Sequence, residues 1–206
     1  MTFASRITRT SNAFDPARGA DVCAEFSQLT PSVVELISGA AGCSPYLAEL
    51  LRLEGTWITG ALDDPEKAVA DLLAEIPEIP LDALPVELRR CKRRIALLVG
   101  LADLGGVWSL ETVTQVLTDF ADAAVQATIV ALVAAEVSRG KLPQADDPAN
   151  AGGMVVLAMG KMGAGELNYS SDIDLICLFD ETRFDPDDYH DVRAAFIRVT
   201  RKMAAI

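Results

Sequence analysis

The chain has 206 residues, half of them hydrophobic and 23% charged; 18 Lys and Arg face 30 Asp and Glu, a net charge of −12 with the single His neutral. That length holds one or two domains with an ordinary core, and the composition excludes a disordered, collagen-like or disulfide-knot chain. So acidic a surface repels nucleic acid, and an anionic ligand must be met by a local positive patch or by metal ions.

The first 150 residues punctuate themselves as helices. The N-terminus, MTFASRITRTSNAFD, lacks the continuous apolar core of a signal peptide. Thr30-Pro31, Ser44-Pro45 and Asp64-Pro65 each place an N-cap oxygen before a proline at the first helical position, where a missing amide costs nothing. Behind them Val33–Ile37, Tyr46–Leu53 and Lys67–Ile76 carry apolar residues at helical spacing. Ile76-Pro77-Glu78-Ile79-Pro80 breaks the third helix. A longer helix is predicted from about Pro85 to Asp103, ended by Gly105-Gly106. Ser109 caps the next, which runs to about Ser138 and stops at Gly140. Its second half is apolar nearly all round and is expected to be the central buried helix of a bundle. The mean hydropathy is slightly positive, which raises the question of a membrane span. The strongest stretch, Ala123–Ala135, lies between Asp122 and Glu136 and is too short to cross a bilayer. Cys23, Cys43, Cys91 and Cys177 show no CxxC spacing and read as buried or free thiols of a reducing compartment. The chain reads as a soluble, cytoplasmic protein.

Gln144 to Gly153 is a polar linker where the pattern changes. Met154–Met159 and Ile173–Phe179 are short β-branched runs with a glycine-rich turn between them. Asp185-Pro186-Asp187-Asp188 opens a last helix, with three acids at its positive end. The fold class expected is α+β: an all-helical N-terminal domain over 1–150, then the start of an α/β-type domain over 151–206. The chain reads as cut, in mid-helix and after two strands.

One segment outweighs the rest: MVVLAMGKMGAGELNYSSDIDLICLFD, Met154 to Asp180. Side chains alternate on a strand, so Asp172 and Asp174 are expected on one face roughly 7 Å apart, with Ile173 and Leu175 pointing into the core. Two neighbouring carboxylates repel unless a divalent cation offsets them, and oxygen-only ligands suit magnesium. Gly160, Gly163 and Gly165 let the backbone approach a phosphate. Lys161, Ser170 and Ser171 add a charge and two hydroxyls at the same mouth. A lone D-x-D is common, and a glycine turn between strands is often only a turn. Together, at this spacing, they lay out a nucleotidyl-transfer site.

The stretch G-K-M-G-A-G-E-L-N-Y-S-S-D-I-D-L-I closely resembles the signature of the bifunctional glutamine synthetase adenylyltransferase/adenylyl-removing enzymes. That family's usual form is G-K-L-G-G-x-E-L-N-x-S-S-D-I-D-L-I, with departures here at Met162 and Ala164. Arg93-Arg94-Ile95 through Asp103-Leu104-Gly105-Gly106 resembles the family's basic helical segment and D-L-x-G turn. The resemblance is clear over about Leu88 to Phe179 and implies an N-terminal fragment of a longer enzyme. It also implies that the α/β part is the start of a truncated polymerase-β-like nucleotidyltransferase domain. By it, Asp172 and Asp174 are the catalytic, magnesium-binding pair, and Gly160, Lys161, Gly163, Gly165, Ser170 and Ser171 hold the phosphate side. A third carboxylate belongs beyond Ile206. Asp180, Asp185 and Asp187 are not substitutes and read as a turn and a helix N-terminus. The motif's position and its D-I-D-L form point to the adenylyl-removing half, which uses phosphate to release AMP from a tyrosine of glutamine synthetase as ADP. The other half adds AMP from ATP. The implied partners are glutamine synthetase, phosphate, ADP, ATP and a PII-type signalling protein. The alternatives are a nucleotidyltransferase with another acceptor, or a helical interaction module without turnover.

Lesser candidates are the basic run Arg89, Arg90, Lys92, Arg93 and Arg94, either a helix face pairing with acids or an anion or partner contact. His190 reads as exposed, and Trp57 and Trp108 as packing residues. Glu166 and Asn168 could orient the loop or a ligand.

Overall fold

The structure, a computed structural model, describes residues 2–143 and 148–206. Positions 144–147 of the expected linker lie outside the described residues. The rest of it, Pro148–Gly153, is a 3-10 turn that leads into the first strand. The helices are α1 (Phe3–Arg6), α2 (Pro16–Cys23), α3 (Pro31–Cys43), α4 (Pro45–Ala61), α5 (Pro65–Glu75), α6 (Leu84–Leu104) and α7 (Leu110–Ser138). Strand β1 (Met154–Ala158), the single turn α8 (Gly160–Gly163), strand β2 (Leu175–Phe179) and α9 (Tyr189–Met203) follow. This is an α+β chain, as expected. The last helix closes at Met203, before the terminus rather than at it.

The proline-marked starts are where the sequence put them, but their caps differ. Ser44 Oγ accepts from the Leu47 amide at 3.2 Å and Asp64 Oδ1 from the Lys67 amide at 3.0 Å. The Thr30 side chain makes no cap bond, and its backbone carbonyl serves the Val33 and Val34 amides instead. Helix α2 has the same signature, since Asp15 Oδ1 accepts from the Arg18 amide ahead of Pro16.

Packing divides the chain into two compact units, Met1–Ala74 with Arg89–Phe120, and Glu75–Leu88 with Ala121–Ile206. The first is helical, with Phe26, Leu36, Ile37, Leu51, Ile58 and Leu98 among its fully buried side chains. Each contributes about 1.5–3 kcal/mol through loss of water contact. The basic run finds its partner here. Buried Glu54, at a break in the helical geometry of α4, accepts from Arg93 Nε at 3.0 Å and Arg94 Nε at 2.9 Å. The Arg94 guanidinium also stands 5.2 Å over the Trp57 ring. Trp108 is buried, and its Nε1 donates to Glu66 at 2.8 Å.

In the second unit β1 and β2 pair antiparallel, from Met154 opposite Phe179 to Ala158 opposite Leu175. One sheet face is covered. Met154, Val156, Cys177 and Phe179 pack with Ile129 and Val133 of α7 and with Val192, Phe196 and Val199 of α9. The Phe179 and Phe196 rings stack at 4.9 Å. Glu136 of α7 is buried and is held by Arg198 of α9, with Nη2 2.7 Å from Oε2, and by Arg139 and Lys202. The opposite face carries Val155, Leu157, Ile176 and Leu178, all exposed.

Helix α7 departs from expectation. It is 29 residues long and, by length and composition, apolar enough to cross a membrane, but only 33% of its most apolar stretch is buried. Exposed Asp122 and Gln126, a turn apart, give it a polar edge, and its alanines need little covering. Burial therefore follows the stripe through Ile129, Leu132 and Val133 instead of the whole circumference. The four cysteines are free thiols.

Candidate functional site

All eight expected site residues lie in the connection from β1 to β2, inside the second unit. β1 ends at Ala158, and Gly160 takes a left-handed φ of +57° that turns the chain into α8. The Gly163 and Ala164 amides donate to the Met159 and Gly160 carbonyls, and Gly165, at φ +73°, reverses the chain again. Gly163 is required for space: a side chain there would strike the carbonyl oxygen of Ala158. Met162 and Leu167 are both buried and anchor the turn. Lys161, Ser170, Asp172 and Asp174 are left exposed around it, and Ser171 half-buried.

The turn and the second acid meet. Pairing runs one step past β1, with the Met159 amide donating to the Asp174 carbonyl at 2.9 Å. A methyl on Gly160 would sit 3.9 Å from Asp174 Oδ2, so the glycine turn passes directly over that carboxylate. The acids themselves precede the strand: β2 begins at Leu175, and 172–174 form its lead-in. Ile173, expected in the core, is 40% exposed. Pairing with β1 ends at the Met159–Asp174 bond, so Ile173 lies beyond the ladder. Leu175 is half-buried, as its inward alternation requires.

Asn168 organises the approach to the acids. Its Oδ1 accepts from the Ser170 amide at 3.2 Å and from the Ser171 hydroxyl at 2.7 Å, while its own carbonyl accepts from the Ser171 amide. Asp180 and Asp185 cap the 3-10 turns Glu181–Arg183 and Pro186–Asp188. Asp180 Oδ1 takes the Thr182 amide and hydroxyl, and Asp185 Oδ1 takes the Asp187 amide. Hydrogen bonds from Thr182 hold the Asp180 carboxyl below its ordinary pKa. His190 is exposed. Among the described residues no group of three or more His, Cys, Asp or Glu side chains is gathered for a metal. The polar side chains that precede the pair in the chain, Asn168, Ser170 and Ser171, offer amide and hydroxyl oxygens beside the two carboxylates. That donor chemistry fits a hard divalent cation such as magnesium and not a soft one.

A cavity of about 580 Å³ lies against the covered sheet face, lined by Asp122, Ile129, Val156, Met162, Leu175 and Arg183 among others. None of the eight expected residues lines it.

The comparisons give the chain a family. The profile of the glutamate-ammonia ligase adenylyltransferase family matches residues 33–206, and the chain belongs to that family. It is similar to the bifunctional glutamine synthetase adenylyltransferase/adenylyl-removing enzyme of Bradyrhizobium diazoefficiens, 44% identical over 93% of this chain and 20% of that protein. The proteins of the same name from Rhodopseudomonas palustris strain TIE-1 and Xanthobacter autotrophicus are 39% and 36% identical, over 91% and 98% of this chain. The chain thus spans about a fifth of the length of these curated relatives. No solved structure matches it.

Proposed function

We propose that this chain contributes the glycine turn and the first two carboxylates of a nucleotidyltransferase centre that handles AMP on glutamine synthetase. It works in the adenylyl-removing direction. Residues 1–150 are its helical domain and 151–206 the opening of a polymerase-β-like domain. The observation that carries this reading is the passage of Gly160 over Asp174, fixed by the Met159–Asp174 backbone bond. It brings a phosphate-approaching backbone and a cation-holding acid to one place.

In that reaction a phosphate oxygen attacks the phosphorus of the AMP–tyrosine linkage. The tyrosine oxygen leaves and takes up a proton, and the nucleotide departs as ADP. Asp172 and Asp174 would hold the magnesium, which when bound draws negative charge from the transferring phosphorus. The glycines let the backbone close on the phosphates. Lys161 supplies the positive charge that admits phosphate to an acidic protein, and Ser170 and Ser171 line the same side. The partners are adenylylated glutamine synthetase, phosphate, ADP, ATP and a PII-type signalling protein. We place the protein in the cytoplasm, with no role for nucleic acid or membrane.

The adding direction keeps the same site and changes only the attacking group to a tyrosine hydroxyl; the transferase in the family's name favours it as the second reading. The test uses a longer chain carrying this segment in the proportion of its relatives. Given adenylylated glutamine synthetase, magnesium and phosphate, it should yield ADP, and it should not label the unmodified synthetase from ATP. Lys161→Ala should weaken the dependence on phosphate more than the binding of the adenylylated protein. AMP transfer from ATP with indifference to phosphate would reverse the direction.

A further inference from the structure

The serine pair was expected to face phosphate as two hydroxyl donors, and the hydrogen bonds at Asn168 do not allow that for Ser171. Two groups converge on a single atom of the Asn168 amide: the Ser170 backbone N–H at 3.2 Å and Ser171 Oγ at 2.7 Å. A backbone N–H only donates, so the atom it meets must be the carbonyl oxygen and not the NH₂ group. Ser171 Oγ, bonded to that same oxygen, must then be the donor. A hydroxyl has one proton, and here it is committed. The Ser171 oxygen is left with lone pairs alone.

An oxygen with only lone pairs to offer is repelled by a phosphoryl oxygen and attracted by a cation. Donation to Asn168 also draws negative charge onto the Ser171 oxygen, which strengthens it as an acceptor. It stands next in sequence to Asp172 and is itself half-buried, while Asp172 and Asp174 are exposed. We infer that Asn168 is a positioning residue that fixes Ser171 as an acceptor-only oxygen, and that this oxygen acts with Asp172 and Asp174 in holding the divalent cation, directly or through a cation-bound water. The inference rests on the metal-pair reading above, and it moves Ser171 from the phosphate side of the site to the cation side. Ser170, whose backbone alone is engaged by Asn168, keeps a hydroxyl for phosphate.

The test is manganese binding to the 206-residue chain, followed by water-proton relaxation, with circular dichroism and urea unfolding as checks on folding. Asn168→Ala should raise the manganese Kd about tenfold, the lower end of what removing a ligand's supporting hydrogen bond costs. Ser171→Ala should raise it by a similar factor. The double variant should be no worse than Ser171→Ala alone, because Asn168 acts only through that hydroxyl. Asn168→Asp, which keeps the acceptor and adds negative charge, should bind manganese at least as tightly as the unaltered chain. A purely structural role for Asn168 gives a different pattern: the Asn168→Ala loss persists undiminished in the Ser171→Ala background, or appears only with a shifted unfolding midpoint. Either result overturns the inference. Asp172→Asn and Asp174→Asn separate the two readings. If both leave manganese binding unchanged, the metal pair itself falls and the inference with it. If both abolish binding while Asn168 and Ser171 show no coupling, the pair stands and only the inference is overturned.

Discussion

Glu136 is a carboxylate in an apolar core, and removing it should be the most revealing single change in the second unit. The side chain is 3% exposed, with Oε2 taking Arg198 Nε at 3.1 Å and Nη2 at 2.7 Å. Its other oxygen takes Arg139 Nη1 at 3.2 Å, with Lys202 Nζ at 3.9 Å. Hydrogen bonds to a charged group contribute about 1.5–3 kcal/mol each when buried. Here the discount is large, because Arg139, Arg198 and Lys202 are 58%, 43% and 48% exposed and return to water once released. The expected loss for Glu136→Ala is therefore about 2 kcal/mol, or a fall in the melting temperature of about 4–8 °C for a chain of this size. Arg198→Ala should cost at least as much, since it leaves the buried carboxylate short of its best partner. Urea unfolding by circular dichroism at neutral pH measures both. The pH dependence gives a second reading. Burial alone would raise the Glu136 carboxyl, but the Arg198 hydrogen bonds and the charges of Arg198, Lys202 and Arg139 hold it below its ordinary value. A depressed carboxyl stabilises above its unfolded pKa of about 4.3, and that contribution is lost as pH falls through the folded value. The gap between the unaltered chain and Glu136→Gln should thus be full at pH 7 and close as pH drops below 4. Losses under about 0.5 kcal/mol for both Glu136→Ala and Arg198→Ala, within the range of an ordinary surface change, would refute the reasoning. So would a Glu136→Gln gap that is the same at pH 7 and pH 3.

Asp172→Asn and Asp174→Asn, in a longer chain with activity, should each abolish phosphorolysis while leaving the unfolding midpoint unmoved, since both side chains are exposed. Near-normal turnover in either contradicts the assignment. Gly163→Ala should lower stability by about 1–3 kcal/mol, because the added methyl meets the Ala158 backbone and neither can yield cheaply; an unchanged urea midpoint would show that the turn has room. The Arg6 hydrogen bond, opposed by burial and helped by Trp108, holds the Glu66 carboxyl down at about 2. Acid titration followed by tryptophan fluorescence should therefore leave the Trp108 signal steady through pH 4 and move it only as pH approaches 2. In Arg6→Ala the change should begin at higher pH.

The helical half was readable wherever a proline followed a capping residue, because both effects act within one turn of chain. The same signal stood at Asp15-Pro16, where the polar sequence behind it hid the helix: Val22 is its one large buried side chain. The glycine turn and the acids were legible as a cluster because their spacing is local. Their strand placement was not. Alternation in S-S-D-I-D-L-I reads as continuous strand, yet a strand ends where its partner does, and β1 ends at Ala158. Asn168 acts within its own turn, on Ser170 and Ser171 two and three positions on, but the buried acids Glu54 and Glu136 depend on arginines 39 and 62 positions away. No short window contains those pairs.

Every residue assigned to the site falls between two strands that pair with each other, and this has a consequence for how such a protein changes over generations. The part of the site that this chain carries is written as one unbroken stretch of gene. Adding or deleting a residue anywhere between Met159 and Asp174 alters where the acids stand relative to the glycine turn, because the Met159–Asp174 bond fixes both ends. The same event before Pro148 leaves that relation untouched. Length changes among related sequences should accumulate in the helical part and in the turns around it, and stop at the edge of β1.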